Sequence, residues 1–148
     1  MPAGAVQRVI VARLRGDATL SGLLAPAKDV SPAAAAVVDD VKEGQAYPYV
    51  AVGDHLGIPD NDLTSYGREI TETLHVWTKT RSMTPGQTIA DRIALLLDHQ
   101  DRALTALLTP LGHKCVRISL EFDQALRDPD PQIRHHVVRF RIQTQQIS

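Results

Sequence analysis

The sequence predicts an α+β fold, a mostly antiparallel sheet of four to five strands with helices packed on one face. Three observations point there. Four segments alternate apolar and polar residues with the period of two that a half-buried strand requires. Strand segments follow one another directly instead of alternating with helices. The helical segments each carry a single apolar face. At 148 residues the chain has the length of one domain, residues 1–148, with its own core.

Val6, Val9, Ile10 and Leu14 fall on one helical face, with Gln7, Arg8 and Arg15 elsewhere, and Gly16 ends the helix. Asp17 is the N-cap of a short second turn through Leu20, Leu23 and Leu24, which Pro26 closes. Residues 25–48 read as a connector punctuated by Pro26, Pro32, Gly44 and Pro48. Its tetra-alanine, Ala33–Ala36, has helix propensity with little side chain to bury, and Val30 or Val37–Val38 is placed to form a brief strand. Tyr49–Leu56 alternates, with Val50 and Val52 on one face and Tyr49 and Ala51 on the other. A turn-rich stretch over 57–67 leads to a strand over 68–79. There Ile70, Leu74 and Val76 share a face, and Thr71, Thr73, His75 and Trp77 share the opposite one.

Thr84 is a natural N-cap for the main helix, Pro85 suits its first position, and Gln87 completes a capping box. Ile89, Ile93, Leu96 and Leu97 form its buried stripe, thinned by Ala90 and Ala94, and Asp91, Arg92 and Asp98 take the solvent side. The helix is expected to stop near Asp98–Arg102; Ala103–Leu108 fits strand or helix equally. After a turn at Pro110–Gly112, Val116, Ile118, Leu120 and Phe122 form the apolar set of a strand, alternating with Cys115, Arg117, Ser119 and Glu121. A polar loop over Asp123–Gln132 joins it to Arg134–Thr144, where Val138, Phe140 and Ile142 point inward and Val137, Arg139 and Arg141 outward. Two long strands joined in this way make an antiparallel hairpin.

Composition excludes several classes. A 43% hydrophobic fraction rules out wholesale disorder, and a net charge of −1 argues against a general nucleic-acid binder. No apolar run is long enough to span a bilayer, and no basic segment precedes an apolar one at the N-terminus, so neither membrane nor secretory signal is expected. The near-neutral total conceals an asymmetry. Residues 1–74 carry 6 basic and 10 acidic side chains, and residues 75–148 carry 10 and 7. Halves of unlike sign allow copies to stack head-to-tail, one way to build a ring, although scatter along a mixed surface gives the same arithmetic.

Catalytic chemistry finds little support. His113, Cys115, His135 and His136 are the one metal-like cluster, but their spacing matches no zinc pattern and adjacent strand histidines point to opposite faces. Cys115, the single cysteine, has no motif placing a base or oxyanion hole beside it and cannot form an internal disulfide. The acidic loops Asp54–Asp62 and Asp123–Asp130 are interrupted by prolines and fit no calcium pattern. Gly53, Gly57 and Gly67 are too scattered to cradle a phosphate. Arg117, Arg139 and Arg141 suggest a basic stripe, which an exposed strand face produces without any ligand. Trp77 either packs under the N-terminal helices or anchors an interface. No catalytic residue, cofactor or metal is expected. Contact is a better reading than chemistry.

Five pieces in order carry a resemblance. They are Tyr47-Pro-Tyr-Val-Ala-Val-Gly53, the strand end Leu74-His-Val-Trp-Thr-Lys79, and the linker Arg81-Ser-Met-Thr84. The helix Ala90-Asp-Arg-Ile-Ala-Leu-Leu-Leu97 and the closing strand Val137-Val-Arg-Phe-Arg-Ile-Gln-Thr144 follow. The chain resembles the tail completion proteins of long-tailed phages, prophages and gene transfer agents, a family that includes tail-to-head joining or tail terminator proteins. The likeness runs from Val6 to Thr144, and its most specific part is Val76-Trp77 followed by the capped helix.

The resemblance implies a virion protein of the neck, assembled in the bacterial cytoplasm. It implies a ring, by family a hexamer, that caps the tail tube, meets the head connector or stopper, and leaves a lumen through which DNA passes. It supplies no catalytic residues. Contacts are expected on the loop 57–66, at Ile58, Asp60, Asp62 and Tyr66, and on the loop 123–134, at Asp123, Arg127, Asp128, Asp130 and Arg134, with Trp77 and Arg81 near an interface. The alternative is a small adaptor or regulatory binding module working as monomer or dimer.

Overall fold

The N-terminal apolar stripe is long enough to nucleate a helix that needs a sheet to cover it, and the computed structural model, which describes residues 2–63 and 66–147, supplies one. Helix α1 (Pro2–Arg15) and the short α2 (Ala18–Leu23) are followed by β1 (Val37–Val38), β2 (Tyr49–Pro59) and β3 (Gly67–Lys79). Helices α3 (Thr84–Leu97) and α4 (Asp101–Leu108), a single 3₁₀ turn, and strands β4 (His113–Arg127) and β5 (Ile133–Gln146) complete the chain. The sheet order is β1-β2-β3-β5-β4, antiparallel throughout except where β1 runs parallel to β2. The expected α+β class and the helices on one face are both present.

One face of β2, β3 and β5 builds the core. Val50, Val52, Ile70, Leu74, Val76, Val138, Phe140 and Ile142 meet the stripes of α1, α3 and α4 there. Asp17 caps α2 by accepting the Leu20 amide, and its carboxylate also takes a two-pronged pair from Arg92 at 2.8 and 2.9 Å, tying α2 to α3. Those hydrogen bonds hold the Asp17 carboxyl down at about 2. Arg13 of α1 donates to the Leu96 carbonyl at 2.6 Å, satisfying an orphan acceptor at the end of α3.

The connector is extended and well held. Ala33–Ala36 is not helical: Ala35 bridges to Pro26, and the Ala36 amide donates to Ala25, leading into β1 at Val37–Val38. The buried Gln45 side chain fixes the segment by accepting from the Lys28 amide and donating to the Pro26 and Ala46 carbonyls. Tertiary hydrogen bonds here override alanine's propensity.

Three other expectations need correction, and one open alternative is decided. Thr84 is the first helical residue of α3 and not its cap; Met83 stands at the cap position, and the Gln87 side chain donates to Asp91, so no capping box forms. Ala103–Leu108 is helical, within α4. Bulges in β4 insert Val116 and Glu121, so Cys115 and Ile118 face the core while Val116 and Phe122 face out. Both loops are shorter than the sequence suggests. Residues 57–59 continue β2, and residues 123–127 continue β4, so Ile58, Asp123, Arg127 and Arg134 are strand residues. Positions 64 and 65 of the expected 57–66 loop lie outside the described residues.

Candidate functional site

Strand register sorts the expected contact residues into two groups. Gly67 of β3 stands opposite Gln145 of β5, and Lys79 opposite Ile133. Ile58, Asp60, Asp62 and Tyr66 therefore lie at one end of the sheet, and Trp77, Arg81, Arg127, Asp128, Asp130 and Arg134 lie at the other. Asp123 sits between them on the edge strand. Thirteen residues of β3 separate the groups by about 40 Å at the usual strand rise.

At the first end, β2 and β3 are joined in a hairpin, the arm, whose β3 strand stays paired within the sheet as far as Gly67, opposite Gln145. Leu56 and Ile58, two residues apart on one face, are more than half exposed, as is Tyr66, and Leu63 is fully exposed. The arm's base is fixed by the Asp60 amide donating to Gly67 O at 2.9 Å and by the Asn61 side chain accepting from the Gly67 amide at 3.1 Å. Gly67 has no room for a Cβ, which would collide with the Asp60 carbonyl.

At the second end, Arg134 donates to the Arg81 carbonyl at 2.9 Å and to Pro131 O at 3.0 Å, linking the β3–α3 and β4–β5 turns. Asp128 and Asp130 each accept a backbone amide two residues on, so both carboxylates shape the turn. Lys79, Arg81 and Arg127 are exposed around it.

Among the described residues no helix covers the outer face of the sheet, and polar groups there pair with one another. Trp77 lies here, half-buried and away from the N-terminal helices, with its ring stacked on His135 at 3.9 Å and 8°. Asp54 accepts from His75 Nε2 at 3.3 Å, which leaves His75 Nδ1 to accept from His135 Nε2–H at 2.8 Å. Burial, and then the neighbouring His75, lower the pKa of His135. Further along, Arg141 joins Glu69 at 3.3 Å and Glu121 at 2.7 Å, and Arg139 lies over the Phe122 ring while donating to Thr73 Oγ1. The three arginines read as a basic stripe are thus interleaved with acids and an aromatic ring.

The metal-like cluster does not converge. His113 and Cys115 stand opposite Gln146 and Thr144, whereas His135 and His136 occupy the far end of β5 and opposite faces of it. Among the described residues no group of three or more His, Cys, Asp or Glu side chains is placed to hold a metal ion. Cys115 is buried and its thiol is pushed up to about 12 by burial, which disfavours the thiolate a nucleophile needs. Among the described residues, no helix is long and apolar enough to cross a membrane.

Two polar groups lie beneath the sheet: Glu72, which no motif singles out, and His136, expected only as part of the metal-like cluster. Glu72 is fully buried with no partner for either carboxylate oxygen among the described residues, and burial raises it to about 7. Its place between Ile70 and Leu74 in a period-two strand was the available signal. His136 lies directly below Gly86 of α3, where a Cβ would strike its ring; no local pattern announces that contact.

A family profile described as "Tail completion protein gp17" matches residues 8–145. The chain belongs to the tail completion protein gp17 family. It is 27% identical over 105 residues to the tail completion protein gp17 of Bacillus phage SPP1, covering 71% of this chain and 73% of that one. Its fold is similar to a chain of the virion of a native gene transfer agent particle, with a TM-score of 0.76, 24% identity, and coverage of 97% and 96%. The family is one of structural tail proteins, as the order of elements suggests.

Proposed function

We propose that this protein is a ring-forming tail terminator of a phage or gene transfer agent particle. It caps the tail tube, meets the head connector and leaves a lumen for DNA. The family match over 8–145 carries this reading. Two unlike ends on one sheet support it, because a ring subunit needs unlike patches that meet across each interface. The ends would supply Ile58, Asp60, Asp62 and Tyr66 on one side and Trp77, Arg81, Arg127, Asp128, Asp130 and Arg134 on the other, with Asp123 on the edge strand between them. The role is assembly without catalysis, in the virion neck.

The test is electron microscopy of the purified protein, alone and with tail tubes. Rings and tubes capped at one end are the expected outcome. A persistent monomer or dimer with no affinity for tubes would instead favour the adaptor reading.

A further inference from the structure

Among the described residues the arm carries the most exposed apolar side chains, with Leu56, Ile58, Leu63 and Tyr66 uncovered on one hairpin. Isolated exposed side chains are ordinary, but four on one arm mark a contact surface. The other end of the sheet holds a groove of about 550 Å³ with apolar walls. Ala46, Tyr47, Pro48, Thr80 and Pro85 line it, and Lys79 stands at its rim. The two features cannot meet within one chain, since about 40 Å of β3 lies between them. Their charges are complementary. Asp60 and Asp62 lie in the arm's loop, whereas Lys79, Arg81, Arg127 and Arg134 outnumber Asp128 and Asp130 at the groove's end of the sheet.

We propose that the arm of one copy docks in this groove of the next copy, Leu63 and Tyr66 entering between Tyr47, Pro48 and Pro85 while Asp60 faces Arg81. This deepens the ring reading above and rests on it. The same two patches recur at every contact, so the contact is heterologous and closes when the rotation per copy divides the circle. It also gives the unlike charge of the two chain halves a location. The arm belongs to the acidic half, and the positive side chains around the groove belong to the basic one.

Cysteine cross-linking tests this, because the native Cys115 is buried and silent. The double variant Leu63→Cys, Thr80→Cys is expected to give, on mild oxidation, a covalent ladder ending at the copy number of the ring. Either single variant should give none. Asp60→Arg or Arg81→Asp should each lower the cross-link yield several-fold, and the two together should restore it. Rings seen by electron microscopy without the ladder would overturn the docking while leaving the ring reading intact. Capture of Leu63→Cys by tube protein in preference to a second copy would overturn it too. Absence of rings, capped tubes and ladder together would sink both.

Discussion

The two faces of the sheet handle polar groups in opposite ways. On the covered face, Glu72, Thr78 and His136 are buried and no described residue bonds their side-chain polar atoms. On the open face, Asp54, His75 and His135 form a bonded chain, and Arg141 joins Glu69 and Glu121. Packing of helix on strand leaves little freedom to add partners beneath the sheet, whereas long side chains on the open face can reach across strands. The covered face therefore carries the stability, and the open face carries ordered polar chemistry at low energetic stake.

The largest contrast is available from residues in the same strand. Phe140→Ala opens a cavity under the sheet and should destabilise by about 3–5 kcal/mol. Arg141→Ala, one residue away on the open face, should cost about 1 kcal/mol or less because its pairs are half-exposed. Urea unfolding of the two variants measures the difference, and equal losses would break the distinction between the faces.

Glu72→Gln sharpens it through pH. The folded carboxyl titrates near 7 and the ordinary value is 4.5, so the folded state binds this proton more tightly. The stabilisation is complete below pH 4.5 and is lost as pH rises through 7, a loss of about 3 kcal/mol at most. His135 and His136 act in the reverse sense. Burial lowers both, so stability is lost as pH falls below the ordinary 6.5. Glu72→Gln should be more stable than the native protein at pH 8, with the gap closing at pH 5. An equal gap at both pH values would mean that Glu72 is not protonated on folding.

Gly86→Ala adds a single methyl and should cost about 1–3 kcal/mol, because that methyl meets the His136 ring and lifts α3 off the sheet. Adding His136→Ala should recover part of the loss if the ring is the obstacle. Thermal melts of the two variants decide it.

Periodicity made the sheet legible. Ile70, Leu74, Val76, Val138, Phe140 and Ile142 all fall on the face the alternation assigns, because strands with one covered face leave a period-two record. It failed at Val116 and Phe122, where bulges shift the register by an extra residue that composition does not announce. The connector was legible as non-helical only through its prolines, since Gln45 holds it by contacts from more than ten residues away. The expected contact residues come mostly from segments read as loops, and their division into two opposite ends depends on strand register. No local pattern encodes that.

The edge strand β4 has a consequence for the protein before it is built into anything. A fifteen-residue strand with a bare edge would be a template for fibrous growth. Here Thr105 bonds both the amide and the carbonyl of Cys115, the His99 amide bonds Ile118 O, and Asp98 accepts the Leu120 amide. The two bulges, at Val116 and Glu121, interrupt the same stretch of the edge. Along Cys115–Leu120, therefore, β4 has its edge groups occupied by its own chain and does not template pairing with a second copy.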